Sequence, residues 1–187
     1  MGVAAGIFAS YLTRSDGVMV RTKGSGKTDG VRSEIRPPPN VTYLAASAGP
    51  HGSYLVRSDG KIDRTKSGGA IDREMVPEGW PVVTYTMASA GCDVTYLVRS
   101  DGVVDLIKSG ALTTSMVPAA GTKYISVGDQ LTMATDKTMY GQWASYIVRD
   151  DGAVIRVVNT KGNINREYPP PSTGAPPPRP SQPASPI

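Results

Sequence analysis

A seven-residue phrase recurs four times in this chain of 187 residues. It reads Tyr-Leu-Thr-Arg-Ser-Asp-Gly from Tyr11 to Gly17, and Tyr-Leu-Val-Arg-Ser-Asp-Gly from Tyr54 to Gly60 and from Tyr96 to Gly102. The last copy, Tyr-Ile-Val-Arg-Asp-Asp-Gly, runs from Tyr146 to Gly152. The copies lie 43, 42 and 50 residues apart. A repeat of about 40–45 residues built from short strands has the period of a propeller blade.

Each phrase reads as a strand running into a turn. Tyr, Leu and Val favour pleated backbone. Asp-Gly between two apolar runs is a strong hairpin signal, because glycine accepts a positive φ at little cost. Second strands follow at Val18-Met19-Val20, Lys61-Ile62-Asp63, Val103-Val104-Asp105 and Ala153-Val154-Ile155. Glycine-containing loops come next, Lys66-Ser67-Gly68 and Lys108-Ser109-Gly110 among them. Each unit closes on a proline, at Ile35-Arg36-Pro37, Met75-Val76-Pro77, Met116-Val117-Pro118 and Glu167-Tyr168-Pro169. Proline suits a strand exit, where no ladder donor is needed. Ahead of the phrase, Val41-Thr42-Tyr43 to Ala48-Gly49 matches Val83-Thr84-Tyr85 to Ala90-Gly91. The fourth copy keeps Tyr124 and Gly128, but an insertion around Leu131 to Gln142 delays Tyr146.

The expected fold is therefore all-β, a four-bladed propeller, closed or partial, over residues 1–168. The expected blades are 1–40, 41–82, 83–122 and 123–168. The 21 glycines, 16 prolines and single phenylalanine fit short strands and tight turns better than long helices. Four is the low end of the usual blade range, so the ring closes small, stays an open arc, or is completed by another chain. Few residues precede Ala5-Gly6, so the first blade's leading strand is expected to be short or absent. Its edge then offers a place for a partner strand. Residues 169–187 form a proline-rich extended tail of polyproline II character. The tail reads either as a flexible end or as a ligand or strap for another subunit, with Pro176, Pro177, Pro178 and Arg179 as its contact residues.

The block Ala48-Gly49-Pro50-His51-Gly52-Ser53-Tyr54-Leu55, followed by Ser58-Asp59-Gly60-Lys61-Ile62, resembles the regulator-of-chromosome-condensation repeat. The resemblance spans roughly Val3 to Pro171. It implies a propeller and protein–protein interaction. The histidine of that pattern occurs once, at His51, and Lys-Ser-Gly replaces the family's closing aromatic-glycine. The family ring has seven blades against four here. Tectonin-type propellers share the Asp-Gly hairpin. No loop matches the exchange-factor activity of the founding member, so that activity does not carry over.

Candidate chemistry is sparse. Gly24-Ser25-Gly26-Lys27-Thr28 resembles the end of a phosphate-binding loop, but the required earlier glycine is Arg21, and prolines 37–39 oppose a following helix. Asp16, Asp59, Asp101 and Asp151 are what the hairpin needs. Calcium loops need several closely spaced oxygen ligands, which are absent from the sequence. His51 and Cys92 lack the partners of a zinc site or a nucleophile–base pair. The paired carboxylates of a glycosidase are missing. No enzyme activity and no cofactor are expected.

Arg14, Arg57, Arg99 and Arg149 recur just before the turn. They read either as a basic rim for an acidic partner or as clamps on turn carbonyls or a neighbouring Asp, with stems packed between blades. Lys23, Lys66 and Lys108 hold a second repeated position and are the better candidates for nucleic-acid contact, though no aromatics interleave with them. Trp80 and Trp143 suit blade junctions or a surface anchor. Asn40-Val41-Thr42 matches a glycosylation acceptor.

The net charge of +4 allows acidic partners without requiring them. No run approaches the ~18 apolar residues of a membrane span. A single cysteine forms no internal disulfide, which favours a reducing intracellular compartment, with an organelle left open. The expected role is a non-catalytic interaction or scaffold module, an accessory subunit whose protein partners meet the first blade's edge and the tail. The alternative, by family analogy, is a regulator or exchange factor for a small GTPase or a chromatin-associated binder.

Overall fold

A computed structural model describes residues 2–5, 9–23, 32–49, 52–66, 69–91, 94–130, 144–158 and 163–170. The described residues form four separate four-stranded antiparallel sheets and no helix. The first blade holds β1 (Val3–Ala5), β2 (Ala9–Thr13), β3 (Met19–Lys23) and β4 (Arg32–Ile35). The second holds β5 (Tyr43–Gly49), β6 (Gly52–Arg57), β7 (Ile62–Thr65) and β8 (Ile71–Met75). The third holds β9 (Tyr85–Ala90), β10 (Val94–Arg99), β11 (Val104–Lys108) and β12 (Ala111–Met116). The fourth holds β13 (Tyr124–Gln130), β14 (Ala144–Arg149), β15 (Val154–Val158) and β16 (Asn163–Tyr168). Strands pair in chain order within each sheet, so every blade is a meander. The leading strand of the first blade is three residues long, against six or seven in the others.

The repeated phrase makes the second strand of each blade and the turn into the third. In the second blade the Gly60 amide donates to the Arg57 carbonyl at 3.1 Å, and the Arg57 amide donates to the Lys61 carbonyl at 2.9 Å. The same pair of bonds recurs at Arg14, Arg99 and Arg149. The glycine, with φ between 79° and 90° in the four copies, follows the turn and takes the left-handed conformation. This is a three-residue loop with a bulge, in which Asp-Gly is not the central pair of a primed turn. The two-residue primed turn occurs elsewhere. Ser109 (φ 52°) and Gly110 (φ 80°) join β11 to β12. The closing prolines stand just past strand ends, after Ile35, Met75, Met116 and Tyr168.

Blades associate face to face. Each has a leading face, toward the preceding blade, and a trailing face, toward the next. Alternation along the strands sends successive side chains to opposite faces. Three apolar clusters fill the three junctions, each built from one trailing and one leading face. Ala9, Tyr11, Met19 and Ile35 meet Tyr43 and Leu55. Tyr54, Val56, Ile62 and Met75 meet Tyr85, Leu97 and Ile107. Val94, Tyr96, Val98, Val104, Leu106 and Met116 meet Tyr124, Val127, Ile147, Ile155 and Val157. Single blades are too thin to bury both faces, so stability resides in these shared cores.

Candidate protein interface

Backbone bonds at the hairpin end link each blade to the next. The carbonyls of Gly17, Gly60 and Gly102 accept the amides of Tyr43, Tyr85 and Tyr124, at 3.0, 2.8 and 3.0 Å. A Cβ on Gly17, Gly60 or Gly102 would overlap Thr42, Thr84 or Lys123 of the following segment. Glycine here serves both the turn and the close approach of the next blade. The fourth glycine, Gly152, makes the same turn, and its nearest neighbour at a Cβ would be Pro170 at 3.4 Å.

Behind each turn lies an ionic cluster centred on the repeated arginine. In the second blade Arg57 Nη2 donates to Asp59 Oδ2 at 2.5 Å, and Arg57 Nη1 donates to Asp63 Oδ1 at 3.0 Å and to Glu74 Oε2 at 2.6 Å. The Tyr43 hydroxyl donates to the other oxygen of Asp63 at 2.7 Å. The third blade repeats the design. The Tyr85 hydroxyl donates to Asp105 at 2.8 Å, Arg99 pairs with Asp101 at 2.5 Å, and Ser115 donates to Asp105 at 2.6 Å in the place of Glu74. In the first and fourth blades Val20 and Ile155 replace the central aspartate, and Arg14 and Arg149 pair with Asp16 and Glu34, and with Asp151 and Glu167. The turn aspartates also accept the amide two residues on, from Val18, Lys61, Val103 and Ala153.

Burial sets the electrostatics. Asp63 and Asp105 are buried, and a buried carboxylate needs partners of this kind. Burial opposes the charge on Arg57, but its bonds to Asp59, Asp63 and Glu74 outweigh that and raise its pKa. Burial would lift the Asp59 carboxyl, yet the Arg57 bond and the Lys61 amide hold it below its ordinary value. Glu74 is held low by Lys61 and then by Arg57. The Tyr43 hydroxyl is pushed well above its usual range by burial and by its bond to Asp63. Tyr85 is pushed up by burial and by the charge of Asp105.

These arginines therefore act as clamps within the blade. Their exposure differs sharply along the chain. The Arg57, Arg99 and Arg149 side chains are 5%, 10% and 12% exposed, and Arg14 is 47% exposed. Arg14 makes the same pairs, and no described blade covers it. The neighbouring row behaves alike. Val3, Leu12, Val20 and Glu34 align across the first blade's leading face, as Ala46, Leu55, Asp63 and Glu74 do in the second. Leu12 is 43% exposed, whereas its counterparts Leu55, Leu97 and Ile147 are 0% exposed.

The opposite end of the arc has the complementary opening. Val148, Val154 and Tyr168 align across the trailing face of the fourth blade. Their counterparts, such as Val56, Ile62 and Met75, are core. Tyr168 is 37% exposed, against 7–9% for Ile35, Met75 and Met116. Tyr146, Val148 and Val154 are half-buried. The described blades thus form an open arc with two uncovered junction faces.

Trp80 sits between the second and third blades and is partly exposed. Its indole N–H donates to the Asp59 carbonyl at 3.1 Å, and Lys61 Nζ lies 4.6 Å from the ring centroid. It caps the second blade's hairpin. Trp143, His51, Cys92, the loop at 24–28, and Pro176, Pro177, Pro178 and Arg179 lie outside the described residues. Lys66 and Lys108 lie at the end away from the hairpins, and both are exposed. Near Lys108 a cleft of about 340 Å³ separates the second and third blades, lined among others by Tyr54, Arg64, Thr95 and Ile107. Arg64 pairs with Asp72 at 3.2 Å under Gly52 and Gly110, and Arg21 takes the same place under Gly69. Sequence reasoning missed this second arginine position. Its signal was present, since Arg21, Arg64 and Arg156 each stand ten residues after a phrase tyrosine. Among the described residues no three His, Cys, Asp or Glu side chains group to hold a metal. No helix there is long and apolar enough to cross a membrane.

No protein-family model matches the sequence, and no curated protein matches it. Solved structures do. Human WBSCR16 is similar over 89% of this chain and 52% of its own, at 13% identity and a TM-score of 0.61. A chain of the complex of Kap60 bound to yeast RCC1 (Prp20) is similar over 68% of this chain and 39% of its own, at 16% identity and a TM-score of 0.50. BamB from Moraxella catarrhalis gives 12% identity over 89% of this chain and 63% of its own, with a TM-score of 0.49. The first two likenesses bear on fold alone and agree with the propeller architecture. The chain spans about half the length of WBSCR16.

Proposed function

We propose that this chain is a non-catalytic protein-interaction module, an accessory subunit of a larger assembly that engages through the open ends of its propeller arc. One observation carries the reading. Positions that are core at three junctions open at the two ends, where Leu12 is 43% and Tyr168 37% exposed and Val20, Tyr146, Val148 and Val154 are half-buried, although the repeat supplies the same kinds of residue there. Contiguous apolar surface of this sort marks interaction sites. The repeated arginines are engaged in clamps with carboxylates of their own blade.

The test is capture from native material with the full chain as bait, read by mass spectrometry. Leu12→Asp and Tyr168→Asp should each lose a partner that wild type and Lys66→Ala retain. Equal recovery by all four baits overturns the proposal. A second reading, regulation of a small GTPase, is favoured only by the likeness of fold to the RCC1 complex. Accelerated nucleotide release from one member of a GTPase panel would support it.

A further inference from the structure

The interaction reading leaves the occupant of the open faces unnamed, and the internal junctions supply a template for it. In them the trailing row is Tyr54, Val56, Ile62 and Met75 in the second blade, Tyr96, Val98, Val104 and Met116 in the third, and Tyr11, Thr13, Met19 and Ile35 in the first, and each receives a leading face centred on Leu or Ile. The molecule exposes one further face of each kind. The trailing row is Val148, Val154 and Tyr168 beside Tyr146. The leading row is Val3, Leu12 and Val20. The surface already known to fit a trailing face is a leading face, and the chain carries an uncovered one. Val20 stands where the second and third blades have aspartate, which makes this leading face more apolar than theirs.

We propose that a second copy of this chain covers both faces. Resting on the interaction reading, the inference names the partner at that same site. The first blade of one copy docks on the fourth blade of the other, and the reciprocal contact forms on the far side. Head-to-tail contacts close into a ring when the rotation permits. Two four-bladed arcs make eight blades, within the usual range of about four to eight.

The experiment is light scattering with sedimentation equilibrium on the purified full chain over micromolar concentrations. Wild type is expected at twice the chain mass. Leu12→Asp spoils only the leading face and Tyr168→Asp only the trailing face, so each alone should fall to the single-chain mass. Mixing the two variants should restore a two-copy species, because one intact face of each kind remains. Circular dichroism checks that both fold. Val3→Asp, at a highly exposed position, and Tyr168→Ser serve as a second pair.

A single-chain mass for wild type overturns the inference, as does assembly beyond two copies. Loss of the dimer in only one variant also overturns it, since that indicates like-to-like contact. If wild type is a single chain yet Leu12→Asp still loses a captured partner, the second copy falls and the interaction reading stands. A wild-type dimer with the complementation pattern supports the second copy whatever the capture experiment gives.

Discussion

Arg14 and Arg57 occupy the same place in the repeat, pair with the same types of carboxylate, and should differ greatly in what their loss costs. Truncating Arg57 to alanine leaves Asp63 buried with only the Tyr43 hydroxyl, a change of the kind that costs about 3–5 kcal/mol. Arg14→Ala removes ion pairs that water already screens, and should cost less than about 1 kcal/mol. Urea unfolding of the two variants checks the contrast, and equal losses would refute it. The same cluster fixes the pH range of stability. Asp59 and Glu74 are held below their ordinary values, so through the acid range the unfolded chain binds more protons than the folded one. Their contribution is complete above about pH 4–5 and is lost as the pH falls through their lowered values. Tyr43 and Tyr85 are raised above about 10, so the folded chain keeps protons that the unfolded chain releases. Their contribution is complete below about pH 10 and declines as the pH rises beyond it. Thermal melts across pH should show a plateau with two falling limbs. Tyr43→Phe with Tyr85→Phe should shrink the alkaline limb to the part that Tyr124, also raised by burial, sustains, and spare the acid one.

At the level of the element, one hairpin explains most of what could be read in advance. Its strands, its aspartate and its proline exit follow from local chemistry repeated four times, so strand positions were legible in the sequence. The turn itself is a bulged three-residue loop in all four copies, and in the first three its glycine also lies against the next blade. That contact crosses the junction and leaves no local trace. The clamp was half legible. A neighbouring aspartate was foreseeable from Arg-Ser-Asp, whereas Asp63 and Glu74 reach Arg57 only through strand register. The two roles of the glycine can be separated by experiment. Gly152→Ala meets the left-handed φ, a cost of about 1–2 kcal/mol, with ordinary contact to Pro170. Gly60→Ala meets the same φ and also overlaps Thr84, which adds about 1–3 kcal/mol. Chemical denaturation should therefore rank Gly60→Ala as clearly the more damaging. Equal effects would mean that the close approach carries no energy.

Across the whole molecule, stability approximates a sum of blade terms and nearest-neighbour junction terms. The second and third blades are covered on both faces, and the first and fourth on one face each. Covered blades open only with their neighbours, and end blades can open alone. Amide exchange should therefore be slowest in β6 and β10 and faster in β2 and β14, although all four are second strands carrying nearly the same sequence. Sequence identity removes propensity as an explanation, and the remaining difference is the junction. The second copy adds a further consequence. At concentrations where two arcs associate, β2 and β14 should slow toward the rates of β6 and β10, and Leu12→Asp should abolish that gain without altering β6 and β10. Exchange at all four strands that ignores both concentration and Leu12→Asp would mean that the end faces have no occupant of this kind.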